Sequence, residues 1–109
     1  CKVKINGDLN IQLSYHLASG LHEATILAVN NSLTHAPGAT ERKVNITAGT
    51  RGLKIVIRDN GRGFRMSNVH KTALGVRWVI FRRLDSLGVN AKLDSAPSTG
   101  TTWIFEWNA

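Results

Sequence analysis

The spacing of apolar residues along the first third of the chain predicts an extended segment followed by a helix. Apolar residues recur at even spacing over residues 3–13, with an Asn-Gly pair between them, which is typical of extended chain with a turn. Apolar residues at helical spacing then predict a helix over residues 21–35, preceded by Ser19-Gly20. The Ala-Pro-Gly sequence at residues 36–38 would end that helix.

The rest of the chain predicts a second helix and four short strands. Polar residues without periodicity over 59–71 predict a loop. A helical stripe of apolar residues predicts a helix over 75–87, which Gly88 would end. Alternation of apolar and polar residues predicts strands at residues 43–47, 53–57, 91–95 and 103–107.

The order of these elements favours one domain over residues 1–109, built as a two-layer α/β sandwich with helices on one face of the sheet. A chain of 109 residues can bury a core without disulfides or a structural metal. Its single cysteine, Cys1, can form neither an internal disulfide nor a zinc site, which fits a reducing, cytosolic setting. No apolar run approaches the roughly 18 residues of a membrane-spanning helix. A first residue other than Met suggests the C-terminal fragment of a longer chain.

The net charge of +7 is concentrated in the middle of the chain. Residues 51–83 hold nine basic residues and a single acid, Asp59, whereas the rest of the chain is close to neutral. Such a segment should attract polyanions, among them nucleic acids, phosphorylated partners and nucleotides. A solvated basic face is the structural alternative.

Residues 59–64 (Asp-Asn-Gly-Arg-Gly-Phe) follow a predicted strand and form the first candidate site. Asp59 at the strand end can accept a hydrogen bond from an exocyclic amine, while Gly61 and Gly63 would let backbone amides approach a phosphate. The Asn-Gly pair is also a hairpin-turn signal, although the residues that follow do not resemble a second strand.

The C-terminal end of the first predicted helix carries the second candidate site. Asn31 could offer a carbonyl oxygen, a hard ligand suited to Mg²⁺, and His35 lies one turn further on. Alternatively, asparagine is tolerated near a helix end, and a histidine there caps the helix more often than it catalyses.

Two further segments could contact a ligand. Residues 73–76 place Gly75 at the start of the second helix, where free amides favour phosphate. The hydroxyls of residues 98–102 could face a base, or could belong to an ordinary turn. The sequence contains no P-loop, no dinucleotide-binding GxGxxG, no GxSxG and no HExxH motif.

In this order, the four segments resemble the ATP-binding domain of the histidine kinase, gyrase, Hsp90 and MutL superfamily. Asn31 with residues 34–36 is similar to the N box, residues 59–64 to the G1 box and residues 73–76 to the G2 box. Residues 83–101 resemble the helix, glycine turn and hairpin that close such domains. The likeness is greatest to bacterial sensor histidine kinases of the nitrate-sensor type.

The resemblance implies a Bergerat-type ATP-binding fold with a mixed β-sheet, and a site for ATP with Mg²⁺. Asp59 would accept from the adenine amino group, Asn31 would ligate Mg²⁺, and Thr101 would contact the adenine side. A nucleotide lid would run over about residues 65–72. The implied ATP-binding positions are Asn31, His35, Asp59, Gly61, Gly63, Phe64, Gly75, Val76 and Thr101.

The resemblance also implies a protein histidine kinase, which donates the γ-phosphate of Mg-ATP to a histidine on a separate helical dimerisation domain and then to a response regulator. The parent protein would be a homodimer with this domain in the cytoplasm, anchoring in the cell membrane is left open, and no nucleic acid is expected as a partner. Leu27 departs from the family, which usually has glutamate at that position. A nucleotide-binding module with weak or no catalysis is therefore one alternative, and a basic nucleic-acid-binding domain is another.

Overall fold

The computed structural model describes residues 1–7, 11–63 and 75–108. Within these ranges, strands and helices follow one another in the order that the sequence predicts. The elements are β1 (Lys2–Gly7), α1 (Tyr15–His35), β2 (Arg42–Gly49), β3 (Gly52–Asp59), α2 (Gly75–Ser86), β4 (Asn90–Ala96) and β5 (Gly100–Asn108).

The five strands form one mixed sheet in the order β1-β2-β3-β5-β4. β1 pairs with β2 in parallel, and every other neighbouring pair is antiparallel. Short turns join β2 to β3 and β4 to β5, whereas the chain reaches β2 from β1 by way of α1, because parallel neighbours need a crossover connection. This connectivity brings the end of β3 next to the start of β5.

Both helices pack against the same face of the sheet, which confirms the predicted two-layer α+β sandwich. Alternate strand residues point to that face, so β3 contributes Ile55 and Ile57 to the core while β5 contributes Trp103 and Phe105. The core also contains Leu17, Leu21, Ala24, Ala28, Val44, Ile80, Leu84 and Val89. Neither described helix has the length and apolar character needed to cross a membrane.

The first helix begins at Tyr15, six residues before its predicted start. Of the predicted extended segment, the described residues form a strand in β1 and irregular structure over 11–13. The Ser14 hydroxyl caps the helix by accepting a hydrogen bond from the Leu17 N–H at 3.2 Å. Gly20 lies within the helix, buried against Leu87, whose side chain a Cβ at Gly20 would overlap. This glycine therefore permits close contact between the two helices and does not mark a helix start.

The predicted ends of both helices agree with the structure to within a residue. α1 ends at His35, where the Ala36 N–H still donates to the Ser32 carbonyl at 2.8 Å. α2 ends just before Gly88, which has a φ of 75° and allows the next N–H to donate back to the Leu84 carbonyl at 2.9 Å. The C-terminal turns of α1 lie beside the end of β3, because residues of both line the same cavity.

Candidate functional site

A cavity lies between the C-terminal turns of α1, the end of β3 and the start of β5. Its volume is about 120 Å³, below the roughly 300–1,000 Å³ of pockets that enclose a whole drug-sized ligand. The described residues thus provide one part of a binding site. They are Ala28, Asn31, Ser32, His35, Ala36, Ile57, Asp59, Arg62, Gly63, Arg77, Thr101 and Trp103.

Asp59, the last residue of β3, is the one carboxylate among the described residues of the cavity, and it is only 5% exposed. One of its oxygens, Oδ2, accepts a hydrogen bond from the Ser32 hydroxyl at 2.8 Å. The other, Oδ1, accepts from the backbone N–H of Gly61 at 2.9 Å. Each carboxylate oxygen has a second lone pair, so Asp59 can still accept a hydrogen bond from a ligand.

Arg42 fixes the direction of the Ser32–Asp59 hydrogen bond. Its Nε donates to the Ser32 hydroxyl at 3.1 Å, and its terminal nitrogen donates to the Ala36 carbonyl at the end of α1. Because a guanidinium has no acceptor, the Ser32 oxygen must accept from Arg42 and give its one proton to Asp59. The sequence offers no sign of a role for Ser32 or Arg42, since contacts between residues this far apart in sequence leave no local pattern.

Asn31 and His35 lie one helical turn apart on α1, and both line the cavity. Asn31 is half-buried, whereas His35 is exposed. Leu27, a further turn back, is not among the cavity residues and packs against the hydrophobic core instead. The turn before Asn31 therefore brings an aliphatic side chain to the core and no acid to the cavity.

Few side chains of the described cavity could coordinate Mg²⁺. Mg²⁺ is usually held by one or two carboxylates together with substrate phosphates and water. Asp59 is the one carboxylate among the described cavity residues, and the described part of the chain contains no cluster of three His, Cys, Asp or Glu side chains that could hold a metal. Among the described residues, Asn31 is the side chain that fits Mg²⁺, through its amide oxygen. Phosphate and water oxygens would complete the coordination shell.

The segment after β3 and the β4–β5 turn are in close backbone contact. Gly100 has a φ of 84°, and a Cβ there would overlap the Asp59 carbonyl oxygen. Gly63 also has positive φ, and a Cβ there would overlap the Ala96 carbonyl oxygen. The Arg62 carbonyl accepts from the turn residue Ser98 at 2.7 Å. These backbone contacts require glycine at both positions.

The sheet register places Thr101 directly opposite Asp59 on the neighbouring strand. Its hydroxyl lies 3.0 Å from that of Ser95, which donates to the Gly100 carbonyl at 2.8 Å. The predicted site residues Asp59 and Thr101 are thus brought side by side at the same end of the sheet. Their neighbours Ile57 and Trp103 form an apolar wall of the cavity.

Arg77 of α2 brings a buried positive charge to the cavity. It is 8% exposed, and burial lowers the pKa of its guanidinium below the ordinary value because the charged form loses solvation. Arg62, in the segment after β3, also lines the cavity, and its side chain is exposed. In the sequence, Arg77 is visible only as a member of the basic segment, because its helical position gives no sign that it faces a cavity.

The remaining predicted site residues are placed differently. Gly61 holds Asp59 through its N–H, and Gly75 is the first residue of α2. Phe64 and the predicted lid over residues 65–72 lie outside the described residues, as does the side chain of Val76.

Comparisons with known proteins agree with this architecture. Residues 16–109 match the family model described as histidine kinase-, DNA gyrase B-, and HSP90-like ATPase. The histidine kinase domain from the Erythrobacter litoralis EL346 blue-light activated histidine kinase superimposes with a TM-score of 0.69 at 20% identity, over 96% of this chain and 50% of that one. A second structure, of the EL346 blue-light activated histidine kinase, gives the same TM-score and identity but is covered over 34% of its chain. The present chain thus spans half and about a third of those chains. No curated protein matches it.

The structural likeness, at 20% identity, shows the fold, and the family model, which covers most of the chain, shows the family. The mixed sheet with two helices on one face is the Bergerat-type fold that the four sequence segments imply. The chain belongs to the family of histidine kinase-, DNA gyrase B- and HSP90-like ATPases, which bind ATP, usually with Mg²⁺.

Proposed function

We propose that this chain is the ATP-binding catalytic domain of a two-component sensor histidine kinase, which binds Mg-ATP and presents its γ-phosphate to a histidine on a separate helical dimerisation domain. The observation that carries the proposal is the buried Asp59 carboxylate, oriented by Ser32 and Gly61 at the end of an apolar cavity. A buried acceptor of fixed orientation is suited to an exocyclic amine, which adenine has at the ring position where guanine has a carbonyl.

In this proposal the adenine ring lies against the apolar wall formed by Ile57 and Trp103, with its amino group toward Asp59 and Thr101 nearby. The triphosphate extends toward the C-terminal turn of α1 and the start of α2. Gly75 opens α2, and the free N–H groups of a helix start favour phosphate oxygens.

Phosphoryl transfer depends mostly on positioning and on neutralising the charge of the transferred group. Mg²⁺ supplies such charge when bound, and the amide oxygen of Asn31 is the residue that would hold it. Arg62 and Arg77 add positive charge at the same cavity. The chain's own contribution is therefore to bind and orient the nucleotide, while the attacking histidine comes from the dimerisation domain.

The remaining parts of the proposal concern the longer protein. The phosphate would pass from the dimerisation domain to a response regulator, and the parent protein would be homodimeric with this domain in the cytoplasm. A sensor kinase of the nitrate-sensor type is the narrowest part of the proposal, and it rests on sequence likeness alone.

A nucleotide-binding module with little or no catalysis is the second candidate. Leu27 favours it, because an aliphatic side chain packed on the core stands where the family usually has glutamate. A nucleic-acid-binding domain is less well supported, because the basic residues of segment 51–83 do not share one surface. Lys54 and Arg58 lie on the uncovered face of the sheet, whereas Arg77 faces the cavity.

Isothermal titration calorimetry with Mg-ATP and Mg-GTP tests the proposal. Asp59→Asn replaces an acceptor-only group by one that also carries donors, and so mismatches both Ser32 and the adenine amine. A buried mismatch of this kind costs about 1–3 kcal/mol, which corresponds to roughly a 5- to 150-fold loss of ATP affinity.

The matched control is Asp94→Asn, which removes the same charge from an exposed residue of β4 and should leave affinity unchanged. Equal binding of ATP and GTP, or an Asp59→Asn variant that binds ATP as tightly as the wild type, would contradict the adenine assignment.

A further inference from the structure

The face of the sheet that the helices leave uncovered carries a concentrated positive charge on β1, β2 and β3. Alternation along each strand sends one set of residues to this face, and the pairing register fixes which of them are neighbours. Five exposed basic residues of β1, β2 and β3 point to the uncovered face, and this basic surface is named the open sheet face. They are Lys2, Lys4, Lys43, Lys54 and Arg58. No acidic residue of these three strands points to this face, whereas the other two strands add Lys92, Asp94 and Glu106 to it, with Glu106 paired to Lys54.

The fold does not account for this arrangement. Lys2, Lys43 and Arg58 form one row across three adjacent strands, in which each residue is directly paired with the next. Like charges directly opposite one another destabilise a sheet. The ion pair of Lys43 with Glu41 spans 3.8 Å between two largely exposed side chains and offsets little of this repulsion.

Protection of a sheet edge explains only part of the pattern. Lysines on an edge strand discourage pairing with other chains, and β1 is an edge strand with two of the five cations. Arg58 lies on β3, the central strand, where edge protection has no use, whereas Lys54 on the same strand is paired with Glu106 of β5.

The shape of the molecule indicates a flat partner. The principal extents are 37 × 28 × 17 Å, so the sheet forms one broad side of a thin slab. The centre of that side holds the paired residues Val56 and Ile104, both partly exposed. Four of the five cations are lysines, which act as point charges without the fork geometry of arginine. No aromatic residue of the described strands points to this face, and nucleic-acid surfaces commonly use such residues to stack bases.

We propose that the open sheet face binds the surface of an anionic phospholipid bilayer through charge. The nucleotide cavity lies in the helical layer on the other side of the sheet, so a chain lying on a membrane by this face would keep the cavity open to ATP and to a partner domain. The proposal does not depend on the proposed kinase function, because no residue of the open sheet face lines the cavity.

Co-sedimentation of the chain with lipid vesicles tests the proposal. We expect binding at about 0.1 M salt to vesicles with roughly a third phosphatidylserine, no binding to pure phosphatidylcholine vesicles, and release near 1 M salt, where screening extends to about 3 Å. The triple variant Lys2→Gln, Lys43→Gln, Arg58→Gln should bind roughly 100-fold more weakly, since each basic residue near such a surface contributes about fivefold.

The matched control is Arg51→Gln, Arg82→Gln, Arg83→Gln, which removes the same charge from exposed residues away from the open sheet face and should change binding only a few-fold. The face variant should also unfold at the same temperature as the wild type or a higher one, because the like-charge row is gone.

Three results would overturn the proposal. The wild type could fail to bind phosphatidylserine vesicles, or both triple variants could lose binding equally, which would mean that net charge alone matters. Alternatively, a DNA or RNA duplex could bind more tightly than the vesicles at the same salt and be lost in the face variant, which would assign the face to nucleic acid.

Discussion

Asp59 is useful as an acceptor because its neighbours are all donors. The carboxylate has no proton to donate, so both Ser32 and Gly61 donate to it, and Arg42 donates to the Ser32 oxygen. Arg42 thereby holds the Ser32 hydroxyl in its orientation toward the buried carboxylate, where an incorrectly oriented hydroxyl would oppose ligand binding.

At the same scale, Arg77 should favour nucleotide binding through its buried positive charge. Its lowered pKa means that folding disfavours the charged guanidinium, and this penalty is fully present at every pH below that pKa, including neutral pH. Arg77→Met keeps the length of the side chain and removes the charge. We expect roughly 10- to 150-fold weaker ATP binding, the range for a lost hydrogen bond to a charged group.

Titration with ATP measures the loss of affinity, and differential scanning calorimetry checks that the variant is folded. Arg83→Met, at an exposed position of the same helix, should leave the ATP affinity nearly unchanged. Unchanged ATP affinity in Arg77→Met would remove Arg77 from the site.

Substitution of Leu27 tests whether this residue limits the rate of phosphotransfer. If the usual glutamate assists the attacking group, an aliphatic residue removes that assistance, which is worth about 10²- to 10⁴-fold in rate. Leu27→Glu should therefore raise phosphotransfer and leave ATP affinity nearly unchanged. It should also cost some stability, because Leu27 packs against the core. Autophosphorylation with labelled ATP, in a protein that includes the dimerisation domain, gives the rate. Strong wild-type labelling that the glutamate leaves unchanged or lowers would mean that another group does this work.

At the scale of elements, the site depends on how closely the β4–β5 turn approaches the end of β3. Gly100→Ala would place a Cβ against the Asp59 carbonyl and force a residue with a side chain into positive φ. The left-handed conformation alone costs about 1–2 kcal/mol, and the overlap adds to it. We expect the melting temperature to fall by roughly 5–15 °C for a domain of this size.

The control for this change is Gly49→Ala. Gly49 lies in the other hairpin, has ordinary φ and has no atoms near the position of a new Cβ. Thermal denaturation should show it within a degree or two of the wild type. A Gly100→Ala variant as stable as Gly49→Ala would mean that the turn can move away from β3.

At the scale of the whole molecule, nucleotide binding should stabilise the fold. A ligand at about 100 times its dissociation constant adds roughly 2.7 kcal/mol to the free energy of unfolding. For a domain near 100 residues this raises the melting temperature by roughly 10–20 °C. ATP with Mg²⁺ should give this shift, and GTP at the same concentration should give much less.

Removal of Mg²⁺ with a chelator separates the roles of base and phosphate. The shift should shrink without disappearing, because Asp59 and the apolar wall hold the base while Asn31 is the one described side chain that fits the metal. A shift identical with and without the metal, measured by differential scanning fluorimetry, would contradict a metal role for Asn31.

The sequence alone determined the local structure and the chemistry of the motifs. Alternation and helical periodicity are local properties, so the strands and α2 were predicted to within a few residues, and Gly88 was identified as a helix end. The motif residues Asn31, Asp59 and Thr101 were found because their residue types and order suffice to suggest a nucleotide. The start of α1 was predicted wrongly, since Gly20 reads as a break until its contact with Leu87 is known.

Only the tertiary structure decided which side chains act together. Ser32, Arg42 and Arg77 come from three different elements, and no periodicity relates them to Asp59. The basic segment was visible in the sequence, but strand pairing divided it between a cavity and an open sheet face, and brought Lys2 and Lys43 from outside the segment to join Arg58. Spacing along a chain fixes the face on which a residue lies within its own element, whereas pairing and packing choose its neighbours from the whole chain, and binding sites are made of neighbours.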